Sequence, residues 1–157
     1  VPSFEEYMEV GVVTAAMDDM TLYIFLGMED CDEKIMYEWV ASKPKFIHAF
    51  NVVLRLTNDI ATFEEELKRG EVANGVNCYM KQHSVTQEEA VTELKKMIKD
   101  HHEIMMEEFF KASSTVPRQI LVRVFNLARV IYLFYKEGDG FGHPGENLKD
   151  QFTSLFT

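Results

Sequence analysis

Apolar residues recur along this chain at intervals of three and four, and stretches of alternating apolar and polar residues flanked by turn signals are missing. That spacing is helical nearly throughout and predicts an all-α protein. A first helix begins after Pro2-Ser3, where Ser3 can cap and Glu5 and Glu6 favour the positive end of the dipole, and it runs toward Gly27. Residues 30 to 40 read as a short acidic helix ending before Ser42-Lys43-Pro44, where proline forbids continuation and can open the next helix. From Pro44 to about Arg69, Ile47, Phe50, Leu54 and Ala61 form an apolar stripe, with Gly70 available as a stop. A shorter helix follows around Gly75 to Gln82. Thr86 and Glu89 make a capping box that opens a helix to about Ala112. Ser113 to Pro117 is a turn, after which Ile120, Val124, Leu127, Val130 and Ile131 drive a helix to about Lys136. Glu137 to Gly145, with four glycines and Pro144, is a loop, and a short helix closes the chain. No repeat, low-complexity run or linker divides it, so residues 1–157 are expected to form a single domain piece.

Charge changes the picture only locally. The net formal charge is −10, yet residues 1 to 40 hold ten acidic side chains against Lys34 alone, which leaves the rest of the chain close to neutral. A basic nucleic-acid footprint is disfavoured, and the acidic run reads as a solvated helix face and loop. Cys31 and Cys78 lie 47 positions apart without CxxC spacing and read as reduced thiols. With no apolar run long enough to span a bilayer and no signal peptide, a cytoplasmic or stromal monomer is expected. The chain starts at Val1, so an upstream segment, removed or absent, is expected as well.

The candidate chemistry is on the third helical segment. Asn58, Thr62 and Glu66 recur at i, i+4 and i+8, a separation that turns only about 80° beyond two full revolutions. Their amide, hydroxyl and carboxylate oxygens are hard donors suited to Mg²⁺ or Mn²⁺, whereas Zn²⁺ would ask for histidine or thiolate. One formal negative charge among three ligands holds Mg²⁺ weakly, so a bound phosphate ligand is expected to complete the coordination. Arg55 shares that face, and Lys68 and Arg69 follow Glu66; such cations suit a diphosphate.

The string Asn58-Asp59-Ile60-Ala61-Thr62-Phe63-Glu64-Glu65-Glu66 matches (N/D)D(L/I/V)x(S/T)xxxE, the second metal-binding motif of class I terpene synthases. Over nearly its whole length the chain resembles the C-terminal half of the catalytic α-domain of plant sesquiterpene synthases. Further matches are Val1-Pro2-Ser3-Phe4-Glu5-Glu6-Tyr7, Leu26-Gly27-Met28, Lys68-Arg69-Gly70-Glu71, Cys78-Tyr79-Met80, Asn126-Leu127-Ala128-Arg129 and Tyr135 to His143. The resemblance implies the C-terminal part of an antiparallel helical bundle of the class I terpenoid synthase fold. It implies that Asn58, Thr62 and Glu66 bind one Mg²⁺ and that Arg55 contacts the substrate diphosphate. Asp59 takes a supporting role, and Lys68 and Arg69 are further diphosphate candidates. Tyr135 and Asp139 would lie at the cavity mouth, and Phe141 stands in the closing loop where Tyr is common. Ala15, Ala16 and Met17 fall where the family has a pocket-lining helix break.

The implied activity is Mg²⁺-dependent ionisation and cyclisation of farnesyl diphosphate to a C15 terpene, with three Mg²⁺ holding the diphosphate. The family's DDxxD motif and its upstream RxR pair are absent from the 157 residues. Asp18-Asp19-Met20-Thr21-Leu22 lacks the third aspartate, so Asp18 and Asp19 read as surface or tolerated variation. Activity therefore requires an upstream part of the same domain, and the isolated chain is expected to be inactive. The alternatives are a monoterpene synthase using geranyl diphosphate and a non-catalytic helical interaction module. Asp100-His101-His102-Glu103 reads as helix surface, and Met105, Met106, Phe109 and Phe110 read as core.

Overall fold

The computed structural model describes residues 1–26, 28 and 32–156. Gly27, Glu29, Asp30, Cys31 and Thr157 lie outside the described residues, and with them the Gly27 match, the thiol of Cys31 and part of the acidic run. The described residues form eight helices and no strand: α1 (Phe4–Thr14), α2 (Met17–Phe25), α3 (Glu33–Ala41), α4 (Lys45–Lys68), α5 (Gly75–His83), α6 (Gln87–Ala112), α7 (Arg118–Tyr135) and α8 (Glu146–Thr153). The all-α expectation holds. Helix ends follow the local chemistry. Ser3 and Glu6 form a reciprocal capping box at α1, as Thr86 and Glu89 do at α6. Pro44 precedes α4, and Gly70 terminates it with φ of +78°.

The run expected to extend toward Gly27 is broken at Ala15 and Ala16. Ala16 has φ of 59° and ψ of 26°, a left-handed conformation that costs a residue with a Cβ about 1–2 kcal/mol. The break persists because Asn51, reaching across from α4 and only 3% exposed, receives the Met17 N–H at 3.0 Å. Its amide nitrogen donates to Asp18 Oδ2 at 2.9 Å. Asp18 is thus tied to α4 rather than being free surface variation.

Helix α4 is the centre of the fold and packs against α1, α2, α5, α6 and α7. A helix so surrounded is buried on more than one side. Phe46, Ile47, Phe50 and Val53 join a core with Met17, Phe25, Met36, Ile120 and Val124. Val52, Leu56 and Phe63 join another with Phe4, Val76, Ala90 and Leu94. Each of these side chains larger than alanine contributes roughly 1.5–3 kcal/mol by leaving water. Cys78 belongs to the latter core and is a free thiol whose pKa burial raises.

On α6 the expected four-residue core set divides. Met105 is buried and Phe109 packs on Phe125, but Met106 and Phe110 are exposed. Successive helical positions point about 100° apart, and α6 presents a narrower apolar face here than the four residues would need. The neighbouring stretch expected to be surface is only partly so: His102 is half-buried, its ring 5.0 Å from that of Tyr132, and burial lowers its pKa. Val10, Val13, Tyr23 and Leu26 stand exposed on α1 and α2 and at the end of α2.

Candidate functional site

The motif residues occupy the C-terminal half of α4. Thr62 and Glu66, one turn apart, meet directly, with Thr62 Oγ1 2.6 Å from Glu66 Oε1. A turn earlier, the Asn58 amide donates to the Tyr135 hydroxyl at 3.0 Å, and its Oδ1 accepts from Arg55 at 3.2 Å. Arg55 is itself held by the end of α1, donating through Nε to the Gly11 carbonyl at 3.0 Å and through Nη2 to Thr14 Oγ1 at 3.2 Å. A helix C-terminus favours a cation, and the Gly11 carbonyl takes the Arg55 N–H in addition to the Ala15 N–H at 3.1 Å. Burial raises the Tyr135 pKa.

Asp59 points the other way. It is 1% exposed and accepts the Tyr7 hydroxyl at 2.7 and 2.8 Å and the Gly75 N–H at 3.0 Å, with Arg55 Nη1 3.5 Å away. Burial pushes its carboxyl up to about 6 against the lowering effects of Tyr7, Arg55 and Gly75. Burial likewise raises Tyr7, and the Asp59 charge adds to it. The approach of α5 requires glycine, because a Cβ on Gly75 would stand 2.5 Å from Asp59 Oδ2. Asp59 therefore joins α1, α4 and α5, and it is not among the residues that line the cavity on the other side of α4.

A cavity of about 510 Å³ opens on the α7 side of α4. The helix break supplies Thr14, Ala15 and Met17, α4 supplies Leu54, Arg55 and Asn58, and α7 supplies Leu127, Val130, Ile131, Phe134 and Tyr135. Phe141 and Phe152 complete the wall. Six expected residues, Ala15, Met17, Arg55, Asn58, Tyr135 and Phe141, thus come together. Thr62 and Glu66 continue along α4 beyond this lining, so Asn58 joins the cavity to the ligand face. A larger groove of about 830 Å³ lies between α1, α4 and α6. It contains none of Arg55, Asn58, Thr62 and Glu66, so the smaller cavity is the candidate site.

The remaining expected residues lie elsewhere. Ala16 lines the larger groove, because its left-handed conformation sends it away from its neighbours. Arg69 pairs with Glu71 and Lys68 with Glu65, each at 2.7 Å on the exposed end of α4. Asp139 does not line the cavity; one of its carboxylate oxygens accepts the N–H groups of Phe141 and Gly142 at 3.1 Å and shapes the loop. Gly140 donates to the Phe134 carbonyl at 2.9 Å, and this brings Phe141 face to face with Phe134, centroids 3.9 Å apart and planes 5° from parallel.

Asn51, Tyr7, Asn74, Phe134 and Phe152 are absent from the sequence-derived set. A polar residue inside the apolar run of α4 is the one signal that marks Asn51, and Tyr7 stands in the matched Val1–Tyr7 stretch without a role assigned to it. Among the described residues no three His, Cys, Asp or Glu side chains form a metal cluster. The Asn58, Thr62 and Glu66 set instead offers mixed oxygen donors, and the close approach of Thr62 and Glu66 fits a hard divalent cation.

The described residues form an all-helical assembly whose cavity lies between the α1–α2 break, the motif-bearing α4 and the aromatic α7, and its fold is that of terpene synthases. The profile of the terpene synthase family, metal binding domain, matches residues 1–104, and the chain belongs to that family. Terpenoid synthase 25 of Arabidopsis thaliana is 59% identical across 99% of this chain and 26% of its own length. The chain thus spans about a quarter of the length of the curated relatives it matches. A crystal structure of limonene synthase with 2-fluorolinalyl diphosphate superposes with a TM-score of 0.85 at 27% identity, covering 98% of this chain and 28% of that one. Isoprene synthase from grey poplar, in complex with three Mg²⁺ ions and dimethylallyl-S-thiolodiphosphate, gives 0.81 at 23% identity, covering 98% and 29%; at that identity the likeness is one of fold.

Proposed function

We propose that this chain supplies the second metal-ligand face and part of the substrate cavity of a Mg²⁺-dependent sesquiterpene synthase, a carbon–oxygen lyase acting on farnesyl diphosphate. The observation that carries the reading is the meeting at Asn58 of an oxygen-ligand face with a cavity walled by apolar and aromatic side chains. The family match and the diphosphate ligand of the limonene synthase structure support it.

In this reading Asn58, Thr62 and Glu66 hold Mg²⁺, or Mn²⁺ in its place. The bound metal supplies Lewis-acid stabilisation of the diphosphate leaving group. Arg55, anchored by Gly11 and Thr14, adds a positive charge whose position is set before substrate arrives. Leu127, Val130 and Ile131 exclude water from the prenyl chain, and the faces of Phe134, Tyr135 and Phe141 stabilise positive charge developing on it. No general base of tuned pKa is required to start such a reaction. The 157 residues contain no DDxxD, so turnover belongs to a longer protein carrying this chain, and the isolated chain is inactive.

Assaying the full-length protein with geranyl, farnesyl and geranylgeranyl diphosphate tests the substrate, with turnover expected to be greatest for farnesyl diphosphate. Higher turnover with geranyl diphosphate would favour a monoterpene synthase instead. Glu66→Gln is expected to abolish Mg²⁺-dependent diphosphate release while leaving helix content unchanged. Unaltered turnover in that variant sinks the ligand assignment. Cyclised product from the 157 residues alone would show that the chain needs no further motif.

A further inference from the structure

Asn74 lies at the start of α5, 1% exposed, and its side chain is fully engaged. Its amide nitrogen donates to Glu66 Oε2 at 2.9 Å and to the Asp59 carbonyl at 3.0 Å, while its Oδ1 accepts the Val76 N–H at 2.9 Å and so caps α5. Glu66 Oε1, in turn, is 2.6 Å from the Thr62 hydroxyl. Both carboxylate oxygens are therefore held, one from within α4 and the other from α5.

We infer that Asn74 is a positioning residue for the Glu66 carboxylate, locking its rotamer for a divalent cation; this rests on the reading of Glu66 as a metal ligand. The chemistry of the donor matters. A lysine or arginine at this position would orient the carboxylate but neutralise the charge that draws the metal. A neutral amide orients it and leaves its charge intact. Because the same side chain spans two helices, the location of α5 is coupled to the direction in which Glu66 points. Gly75 makes the arrangement possible, since without a Cβ it lets the start of α5 settle against Asp59.

The cap and the clamp can be separated. Serine caps a helix about as well as asparagine but is too short to reach Glu66, so Asn74→Ser keeps the Val76 bond and loses both amide donations, to Glu66 and to the Asp59 carbonyl. Mn²⁺ binding to the full-length protein carrying this chain, in the presence of inorganic diphosphate, followed by electron paramagnetic resonance and expressed per folded molecule from circular dichroism, reads the effect. Asn74→Ser is expected to bind Mn²⁺ roughly tenfold more weakly than wild type, with a modest fall in melting temperature from the lost Asp59 bond. Asn74→Thr, a second variant able to cap, serves in its place if the serine variant does not fold, and the same loss is expected. Wild-type affinity in either folded variant, while Glu66→Gln loses binding, overturns the inference and leaves the ligand reading standing. Wild-type affinity in Glu66→Gln overturns both.

Discussion

On the α5 side of α4, Asp59 is sealed from water, with Tyr7, Gly75 and Arg55 around its carboxylate. On the α7 side, its neighbour Asn58 faces a cavity of about 510 Å³ and holds a hydrogen bond to Tyr135 and another from Arg55. The two residues are adjacent in sequence, yet one is structural cement and the other looks onto open volume. Arg55 spans the divide, four residues before one and three before the other. A single motif thus does two jobs: its dry side fixes the spacing of α1, α4 and α5, which allows its open side to keep polar groups in place without a packed neighbour.

This contrast can be broken by substitution. Asp59→Ala removes the partner of Arg55, Tyr7 and the Gly75 N–H together, and a loss of about 3–5 kcal/mol in urea denaturation is expected. A smaller loss than that of Asn58→Ala would reverse the comparison. Asn51→Ala leaves the buried Met17 N–H without its acceptor, and about 2 kcal/mol is expected by the same measurement. Tyr135→Phe removes one hydrogen bond at the cavity wall and should cost about 1 kcal/mol or less. Ala16→Gly has the opposite sign: it relieves a left-handed alanine, and a gain of about 1 kcal/mol would raise the melting temperature by roughly 2–4 °C in calorimetry. A fall in melting temperature would show that the break at Ala16 carries no strain.

Much of this fold was legible in the sequence because helix ends are local. The Thr86 and Glu89 box, the Pro44 opening and the Gly70 stop each depend on a few successive residues, and all three stand where their chemistry predicts. The spacing of Asn58, Thr62 and Glu66 was local too, and Thr62 does meet Glu66. What distant residues decide was not legible. Asn51 holds the start of α2 from 34 positions away, and Tyr7 reaches Asp59 across 52. Asp139 shows the same limit from the other side: the resemblance implied a place at the cavity mouth, but an aspartate two residues ahead of a free N–H in a glycine-rich loop takes that backbone group as its partner.

The exposed apolar side chains Val10, Val13, Tyr23 and Leu26 share the first forty residues with most of the excess negative charge. In colloidal terms the same segment is both sticky and self-repelling, and the balance is set by the solvent. At low ionic strength like charges hold copies apart. Near 0.1 M salt the screening length falls to about 10 Å, and repulsion between approaching copies weakens while apolar attraction does not. Sulfate or phosphate salts would strengthen that attraction further. Light scattering of the purified chain is therefore expected to rise with added salt, most steeply with sulfate.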